Sequence, residues 1–144
     1  KLNSTYVAYG NIGRTKMALQ TEQDDNAKGY SEENAVSRTV SKSSHLYKNS
    51  SWDLVDAEKE KDFKYSDLKQ QELPTELKDK STKEIKAYVA KKRNDREVIQ
   101  TEIQNLNQKR RLFIKSQQKE DDNSLENAMI KAIKTQAKAK KYTW

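Results

Sequence analysis

Residues 81–118, STKEIKAYVAKKRNDREVIQTEIQNLNQKRRLFIKSQQ, carry a helix start signal and contain no helix-breaking residue. The start signal is a capping box, in which the Ser81 hydroxyl accepts from the N3 amide and the Glu84 side chain reaches back to the cap. Apolar residues then recur at helical spacing, namely Ile85, Val89, Ile99, Ile103, Leu106 and Phe113. At about 1.5 Å per residue the predicted helix is roughly 55 Å long, which is typical of a scaffold or interaction element.

The other long segments are also predicted to be helical. Ser31 and Ser51 have the form of helix starts, Thr15 to Ala27 favours a short polar helix, and Pro74 predicts a turn before the long helix. Residues 121–124 are expected to cap a last helix with a narrow apolar stripe, formed by Leu125, Met129, Ala132, Ile133 and Ala137. The predicted fold is all-α: an elongated hairpin or bundle with one long helix over about residues 82–118 and a packed C-terminal helix.

The long helix is expected to pack against helices of its own chain. In a heptad register Lys92, Arg96 and Arg110 would lie in the seam, which disfavours a two-stranded coiled coil. Trp52 is predicted to be a buried aromatic anchor between the short helix and the long one. The full set of predicted structural anchors is Trp52, Ser81, Ile99, Ile103, Leu106 and Phe113.

The N-terminal segment contains the one convincing strand candidate. Residues 4–9 are rich in β-branched and aromatic side chains and are followed by Gly10. Because a lone strand gains little in water, residues 2–9 are expected to be extended and to pair with structure outside this chain. The start at Lys1, without an initiator Met, suggests a processed piece of a longer product. We therefore predict an extended segment leaving an upstream domain (1–13), short helices and loops (14–80), and the long plus C-terminal helices (81–144).

Composition and charge limit the possible functions. Hydrophobic residues make up 33% of the chain and charged residues 35%, so apolar stripes can be buried between helices but a thick core cannot. There is no cysteine, which excludes disulfides and thiolate metal sites, and no apolar run of the roughly 20 residues that a membrane span needs. The net charge of +7 is concentrated in residues 91–120.

Two basic clusters of the long helix are candidate interaction residues: Lys91, Lys92, Arg93 and Arg96, then Lys109, Arg110, Arg111 and Lys115. They could line a polyanion, but the acidic residues Asp95, Glu97 and Glu102 interrupt them, and no nucleic-acid-binding signature accompanies them. The C-terminal helix could also lie on an anionic membrane. Its apolar face is mostly alanine, however, and packing against the long helix is the favoured interpretation.

Side chains that could support catalysis or bind a cofactor or metal are scarce in this sequence. His45 is the only histidine and lies among serines, and a Ser-His-acid site would need only that one serine approach it in space. A partly exposed helical histidine is the simpler interpretation. There is no glycine-rich phosphate loop and no calcium-loop pattern around the paired carboxylates Asp24-Asp25 or Asp121-Asp122. The sequence therefore predicts no catalytic, cofactor-binding or metal-binding residues, no small-molecule substrate and no enzymatic activity.

Several short stretches of the sequence carry a family resemblance: residues 41–44, Tyr47, Asn49, 52–57, 72–77, the cap at Ser81, 87–89, 99–111 and 113–114. Together they resemble the helical region that follows the von Willebrand factor A (VWA) domain in a group of secreted or envelope-associated bacterial proteins. The opening residues 2–10 resemble the segment that leaves that domain. The resemblance implies an upstream VWA-type domain and an extracytoplasmic location, but the metal motif of that domain is absent here.

These observations lead to two hypotheses of different classes. The first is a non-catalytic structural or protein-interaction module, with the VWA-type domain or another protein chain as its partner. The second is a polyanion-binding element that uses the basic half of the long helix.

Overall fold

The computed structural model describes residues 1–117 and 125–142, and the predicted cap at 121–124 lies outside them. The helices in chain order are α1 (Gly13–Tyr30), α2 (Glu32–Lys42), α3 (Leu54–Ala57), α4 (Thr82–Gln117) and α5 (Leu125–Ala139). Single 3-10 turns occur at Leu2–Thr5, Tyr65–Asp67, Gln70–Glu72 and Thr75–Leu77. Within the described residues there is no β-strand, only an isolated antiparallel bridge between Ala8 and Asp53. The all-α prediction with one long helix is confirmed.

The long helix starts where the capping box predicts. The Glu84 amide donates to Ser81 Oγ at 3.3 Å, and the Glu84 carboxylate accepts from the Ser81 amide at 2.8 Å. The Ser81 hydroxyl also donates to the Glu84 carboxylate, at 2.7 Å. This bond, together with the one from the Ser81 amide, holds the pKa of the Glu84 carboxyl below its usual range. The cap satisfies first-turn amides that would otherwise have no partner.

The chain divides into two compact units, unit 1 (Lys1–Asn107) and unit 2 (Gln108–Trp144). Unit 1 contains α1 to α3 and most of α4, and its hydrophobic core consists of Val7, Leu54, Val55, Leu73, Leu77, Ile85 and Val89. Helices α1 and α2 form a hairpin, and the Ser31 side chain caps α2 by accepting from the Asn34 amide at 3.1 Å. Unit 2 contains the last turns of α4 together with α5.

The expectation for the N-terminal segment is wrong, because the segment has partners inside this chain. The Tyr9 amide donates to the Trp52 carbonyl at 2.8 Å, and the Leu54 amide donates to the Val7 carbonyl at 2.9 Å. Tyr6, Val7 and Ala8 are buried in unit 1. Residues 6–9 therefore line the core as an extended strip against the start of α3, and residues 2–5 form a 3-10 turn rather than a strand.

Three local expectations also differ from the structure. Helix α3 begins at Leu54 after Asp53, so Ser51 does not cap it. Helix α1 extends beyond its predicted end at Ala27, through Gly29 to Tyr30, because the backbone leaves the helical conformation only at Ser31. Ser66-Asp67-Leu68 also has the form of a helix start in the sequence, but the chain makes one 3-10 turn there instead of a helix.

None of the helices in the described part of the chain is both long enough and apolar enough to cross a membrane.

Candidate interaction surfaces

Arg96 is predicted as an exposed cation, but it is buried in unit 1 with 4% of its side chain exposed. Its Nη1 donates to Asp53 Oδ2 at 2.7 Å and to Asp56 Oδ1 at 3.1 Å. Its Nε and Nη2 donate to Thr5 Oγ1 at 3.0 Å and to the Thr5 carbonyl at 2.8 Å, and the guanidinium lies 4.5 Å from the centre of the Tyr6 ring. Arg96 thus joins α4 to the N-terminal segment and to α3.

Asp53 is the acidic centre of this network and is fully buried. One carboxylate oxygen faces Arg96, and the other accepts from the Val7 amide at 2.8 Å. Burial raises the pKa of the Asp53 carboxyl, and the hydrogen bond and charge of Arg96 oppose that shift. A buried pair with its remaining polar groups satisfied holds its geometry, so this network fixes the position of α4 within unit 1.

The rest of the first basic cluster is only partly available to a ligand. Lys92 Nζ donates to the Ser4 carbonyl at 2.8 Å, and Arg93 Nη1 pairs with Glu58 Oε1 at 2.8 Å. Lys91 is exposed. Three of the four cations therefore serve contacts inside unit 1, and the cluster does not form the continuous basic surface that the sequence suggests.

The second basic cluster lies in unit 2 and has a different environment. Lys109, Arg110, Arg111 and Lys115 are all exposed. None of them makes an ion pair within the described residues. Residues 108–117 contain four basic and no acidic side chains, so this part of α4 is a strongly cationic surface.

The predicted apolar and aromatic anchors fall into three groups. Trp52 is buried as expected, and it packs against Tyr6, Ala8 and Met17 in a satellite cluster separate from the core that contains Ile85 and Val89 of α4. Its ring centre lies 5.4 Å from that of Tyr6. Ile99 and Ile103 are half-buried. Leu106 and Phe113 are 57% and 64% exposed, so neither is a buried anchor within the described residues.

A surface groove of about 470 Å³ lies between the α1–α2 hairpin and α4, entirely within unit 1. Ile99, Ile103 and Leu106 form its wall on α4, and Leu2 and Ala35 add further apolar surface. These α4 residues follow the spacing i, i+4, i+7, which places them on one helix face. The groove thus presents an apolar strip about two helical turns long.

The floor of the groove is a satisfied charge cluster. The Asp24 carboxylate accepts from Lys42 Nζ and Arg38 Nε, both at 2.5 Å, and from Asn3 Nδ2 at 2.7 Å. Burial alone would raise the pKa of the Asp24 carboxyl, but hydrogen bonds from Lys42, Asn3 and Arg38 outweigh it and hold that pKa below its usual range. Burial also lowers the pKa of the Lys42 ammonium, against the opposing effect of Asp24.

Our sequence reasoning did not identify this cluster or Asp53. The sequence excludes a calcium loop at Asp24-Asp25 and predicts no structural role for Asp24, Arg38 or Lys42. A usable signal exists, since Asp24 and Arg38 each lie seven positions from Ser31, where the hairpin turns. Positions equidistant from such a turn face each other in an antiparallel helix pair. Asp53 offers no comparable local signal.

The apolar stripe of α5 is uncovered, contrary to the packing expected for this helix. Met129 and Ile133 of the stripe are 56% and 54% exposed, and Ile130, which lies beside the lysines, is 42% exposed. Next to the helix, Tyr142 is 69% exposed. Unit 2 therefore presents apolar and basic side chains together on its described surface.

His45 is exposed, and its neighbour Ser43 is engaged elsewhere. The Ser43 hydroxyl donates to the Val40 carbonyl at 2.7 Å and accepts from Gln104 Nε2 at 2.6 Å. The chain matches no protein-family model, no curated protein and no solved structure.

Proposed function

We propose that this chain is a non-catalytic protein-interaction module, in which unit 1 holds a groove for a helix of a partner protein. The observation that carries the proposal is the apolar wall of Ile99, Ile103 and Leu106 beside the α1–α2 hairpin. An amphipathic helix binds such a groove by placing its own i, i+3 or i+4, and i+7 side chains on the wall.

The electrostatics of the groove support a protein helix over a small charged ligand. Asp24, Lys42 and Arg38 already satisfy one another at the floor, so a charged ligand would have to displace existing bonds. The rim carries both signs, with Lys28 and Asp25 on α1 and Glu102 on α4. A mixed-charge rim around an apolar centre is the usual composition of a protein–protein contact.

The Arg96 network supplies the rigidity that a preformed groove needs. It ties α4 to Thr5 in the N-terminal 3-10 turn and to Asp53 directly before α3. A site that is held open before binding loses less conformational entropy when the partner arrives.

The proposed setting follows from the family resemblance. The partner is a VWA-type domain of the same protein or another protein chain, and the location is extracytoplasmic. The N-terminal segment cannot supply the contact to that domain through residues 6–9, because these pair within unit 1. We assign the contact instead to the groove of unit 1.

Site-specific photo-crosslinking in the native host tests the proposal. A benzophenone amino acid replaces Leu106 at the groove, and in a control chain it replaces Val98, which is 69% exposed and does not line the groove. We expect one discrete covalent adduct from position 106 and none from position 98. Ile103→Asp in the position-106 chain, checked for an unchanged melting temperature, should remove the adduct.

The possible outcomes of this experiment distinguish the proposed interaction function from the proposed VWA-type setting. No adduct at 106, or equal adducts at both positions, would contradict the interaction function. An adduct whose peptides belong to a VWA-type polypeptide supports the proposed setting. An adduct with an unrelated protein keeps the interaction function and removes the VWA setting. Recovery of the chain in the cytoplasmic fraction would contradict the extracytoplasmic location.

A second candidate function, polyanion binding, is favoured by the four exposed cations Lys109, Arg110, Arg111 and Lys115. A polyphosphate contact through them would release counterions and give a steep dependence of affinity on salt. Heparin and duplex DNA are suitable probes, with Lys109, Arg110 and Arg111 changed to Gln. An unchanged affinity in the triple variant would exclude this candidate.

A further inference from the structure

We propose that α5 lies flat on an anionic lipid bilayer, with its apolar face in the interface between headgroups and acyl chains. This proposal concerns unit 2 and does not rest on the groove of unit 1. It begins from the finding that Met129 and Ile133, which share one face of α5, are exposed. An amphipathic helix leaves such a stripe uncovered when its binding surface is supplied by something else.

The helical register separates basic from apolar side chains on α5. At about 100° per residue, Lys131, Lys134 and Lys138 fall within a sector of roughly 60°. Met129 lies at the centre of the opposite side, flanked by Ile133 and the small alanines. A helix with one lysine-rich face and one apolar face is typical of elements that lie in the membrane interface.

The charge of this region is suited to an anionic surface. Residues 127–142 contain five lysines and no acidic side chain. A helix C-terminus favours nearby cations, which accounts for one or two of them but not for those two turns upstream. The helix ends with the Tyr142 amide donating to the Ala137 carbonyl at 3.0 Å, and this places Lys141 and the exposed Tyr142 directly beyond the last turn. Tyrosine is enriched at membrane–water interfaces.

Other anionic partners fit the apolar face less well. Nucleic acid would use the lysines, but its phosphate backbone gives the exposed Met129 and Ile133 no contact. A protein pocket is usually filled by aromatic or arginine anchors, and residues 127–139 contain neither. A face of medium and small side chains suits shallow insertion into a planar interface.

Vesicle co-sedimentation with the full 144-residue chain tests the proposal. Vesicles of phosphatidylcholine with 30% phosphatidylglycerol are compared with phosphatidylcholine alone, and we expect binding to the anionic vesicles only. Lys131, Lys134 and Lys138 changed together to Gln should weaken partitioning about a hundredfold, since each lysine near an anionic surface contributes about one factor of five.

Two further variants give the proposal its control and its separate apolar test. Lys59, Lys61 and Lys64 are exposed in unit 1, so changing them to Gln makes the same charge change elsewhere and should leave binding nearly unchanged. Met129→Asp with Ile133→Asp should weaken binding at least about tenfold, because it removes the apolar contribution.

Each outcome decides between interpretations. Equal loss in the two lysine triples would mean a diffuse charge effect and overturn the proposal. Full binding by the Met129→Asp, Ile133→Asp variant would mean simple polyanion association, and it too would overturn the proposal. Absence of vesicle binding by the unmodified chain would also overturn the proposal, and a protein partner would then be the better explanation of the exposed stripe. As a control for folding, circular dichroism of every variant in solution should show the same thermal transition of unit 1 as in the unmodified chain.

Discussion

At the scale of single residues, the buried side chain of Arg96 joins three parts of unit 1, namely α4, the N-terminal segment and α3. Its planar guanidinium satisfies two carboxylates, a hydroxyl and a backbone carbonyl at once. Lysine has no such fork of donors, so it could not replace this set of bonds. The buried cation at a position that should be apolar explains why the heptad pattern of α4 is broken there.

Arg96→Ala is expected to lower the free energy of unfolding by about 3–5 kcal/mol, because it leaves the Asp53 carboxylate buried without its partner. Arg93→Ala is the matched control on the same helix. Its pair with Glu58 is partly exposed and contributes less than about 1 kcal/mol. Urea unfolding of both variants measures the contrast, and similar midpoints would show that the Asp53 network is not a stabilising element.

Asp24 gives a pH dependence at the floor of the groove. Its pKa in the folded chain lies below the ordinary value of 3.8, so its contribution to stability is fully present above that value. As the pH falls through the lower folded value, the carboxylate is protonated and the contribution is lost. Asp24→Asn should therefore cost about 1–2 kcal/mol at pH 7 and distinctly less at pH 3.

Denaturant titrations of both chains at the two pH values measure this change, with the exposed neighbour Asp25→Asn as control. A gap between wild type and Asp24→Asn that stays constant with pH would mean that the variant acts through packing and not through the charge.

At the scale of elements, α4 depends on its first turn. Ser81→Ala removes the hydroxyl that accepts from the Glu84 amide, and we expect a loss of about 1 kcal/mol in the free energy of unfolding. Ser66→Ala serves as a control, since Ser66 is exposed and its hydroxyl contacts only the adjacent Asp67. Thermal melts with the helix intact in every variant decide the matter; equal midpoints for Ser81→Ala and wild type would refute the cap.

The N-terminal strip is expected to be protected from hydrogen exchange in the isolated chain. The Val7 amide is bound to a buried carboxylate, and the Tyr9 and Gly10 amides are bound to the carbonyls of Trp52 and Glu72. Mass spectrometry of the exchanging chain should show slow amides at these positions and fast ones at exposed turns. Exchange at the rate of an unfolded peptide would contradict the internal pairing.

Local signals predicted some elements well and others not at all. The capping box at Ser81 and the cap at Ser31 are encoded within four residues, and both helices start there. The partner of the N-terminal strip lies some 45 positions away in a loop without strand character, so periodicity could not reveal it. Nor could it show that Arg96 is buried, because a cation in a charged segment has the same pattern whether it faces water or a distant carboxylate.

The interaction surfaces show the same limit. The spacing of Ile99, Ile103 and Leu106 predicted one apolar face, but not that the α1–α2 hairpin would leave that face as a groove wall. Whether a stripe is covered depends on packing between elements that are far apart in sequence. The exposed stripe of α5 is the second example.

At the scale of the whole molecule, burial is unevenly distributed between the two units. Every buried residue of the described chain lies at or before Arg96, and so belongs to unit 1. Unit 2 contributes exposed apolar and basic side chains instead. We therefore expect the free energy of unfolding to depend mainly on unit 1, while the exposed side chains of unit 2 are available for contacts with other molecules.

A chain that ends at Asn107 should therefore fold by itself. It keeps the hydrophobic core, the satellite cluster around Trp52 and the Arg96 network, and it loses no side chain that is buried where described. We expect a cooperative thermal transition within about 8 °C of the full chain, which corresponds to a loss of about 1 kcal/mol for a domain of this size.

A chain that ends at Asp95 is the informative comparison, since it retains the apolar core through Val89 but lacks Arg96. It should lose the cooperative transition or melt far lower, because Asp53 remains buried without its cation. Differential scanning calorimetry of the three chains measures these transitions. If the chain ending at Asn107 failed to unfold cooperatively, residues 108–144 would be contributing to the stability of unit 1, and the assignment of stability to the first unit would be wrong.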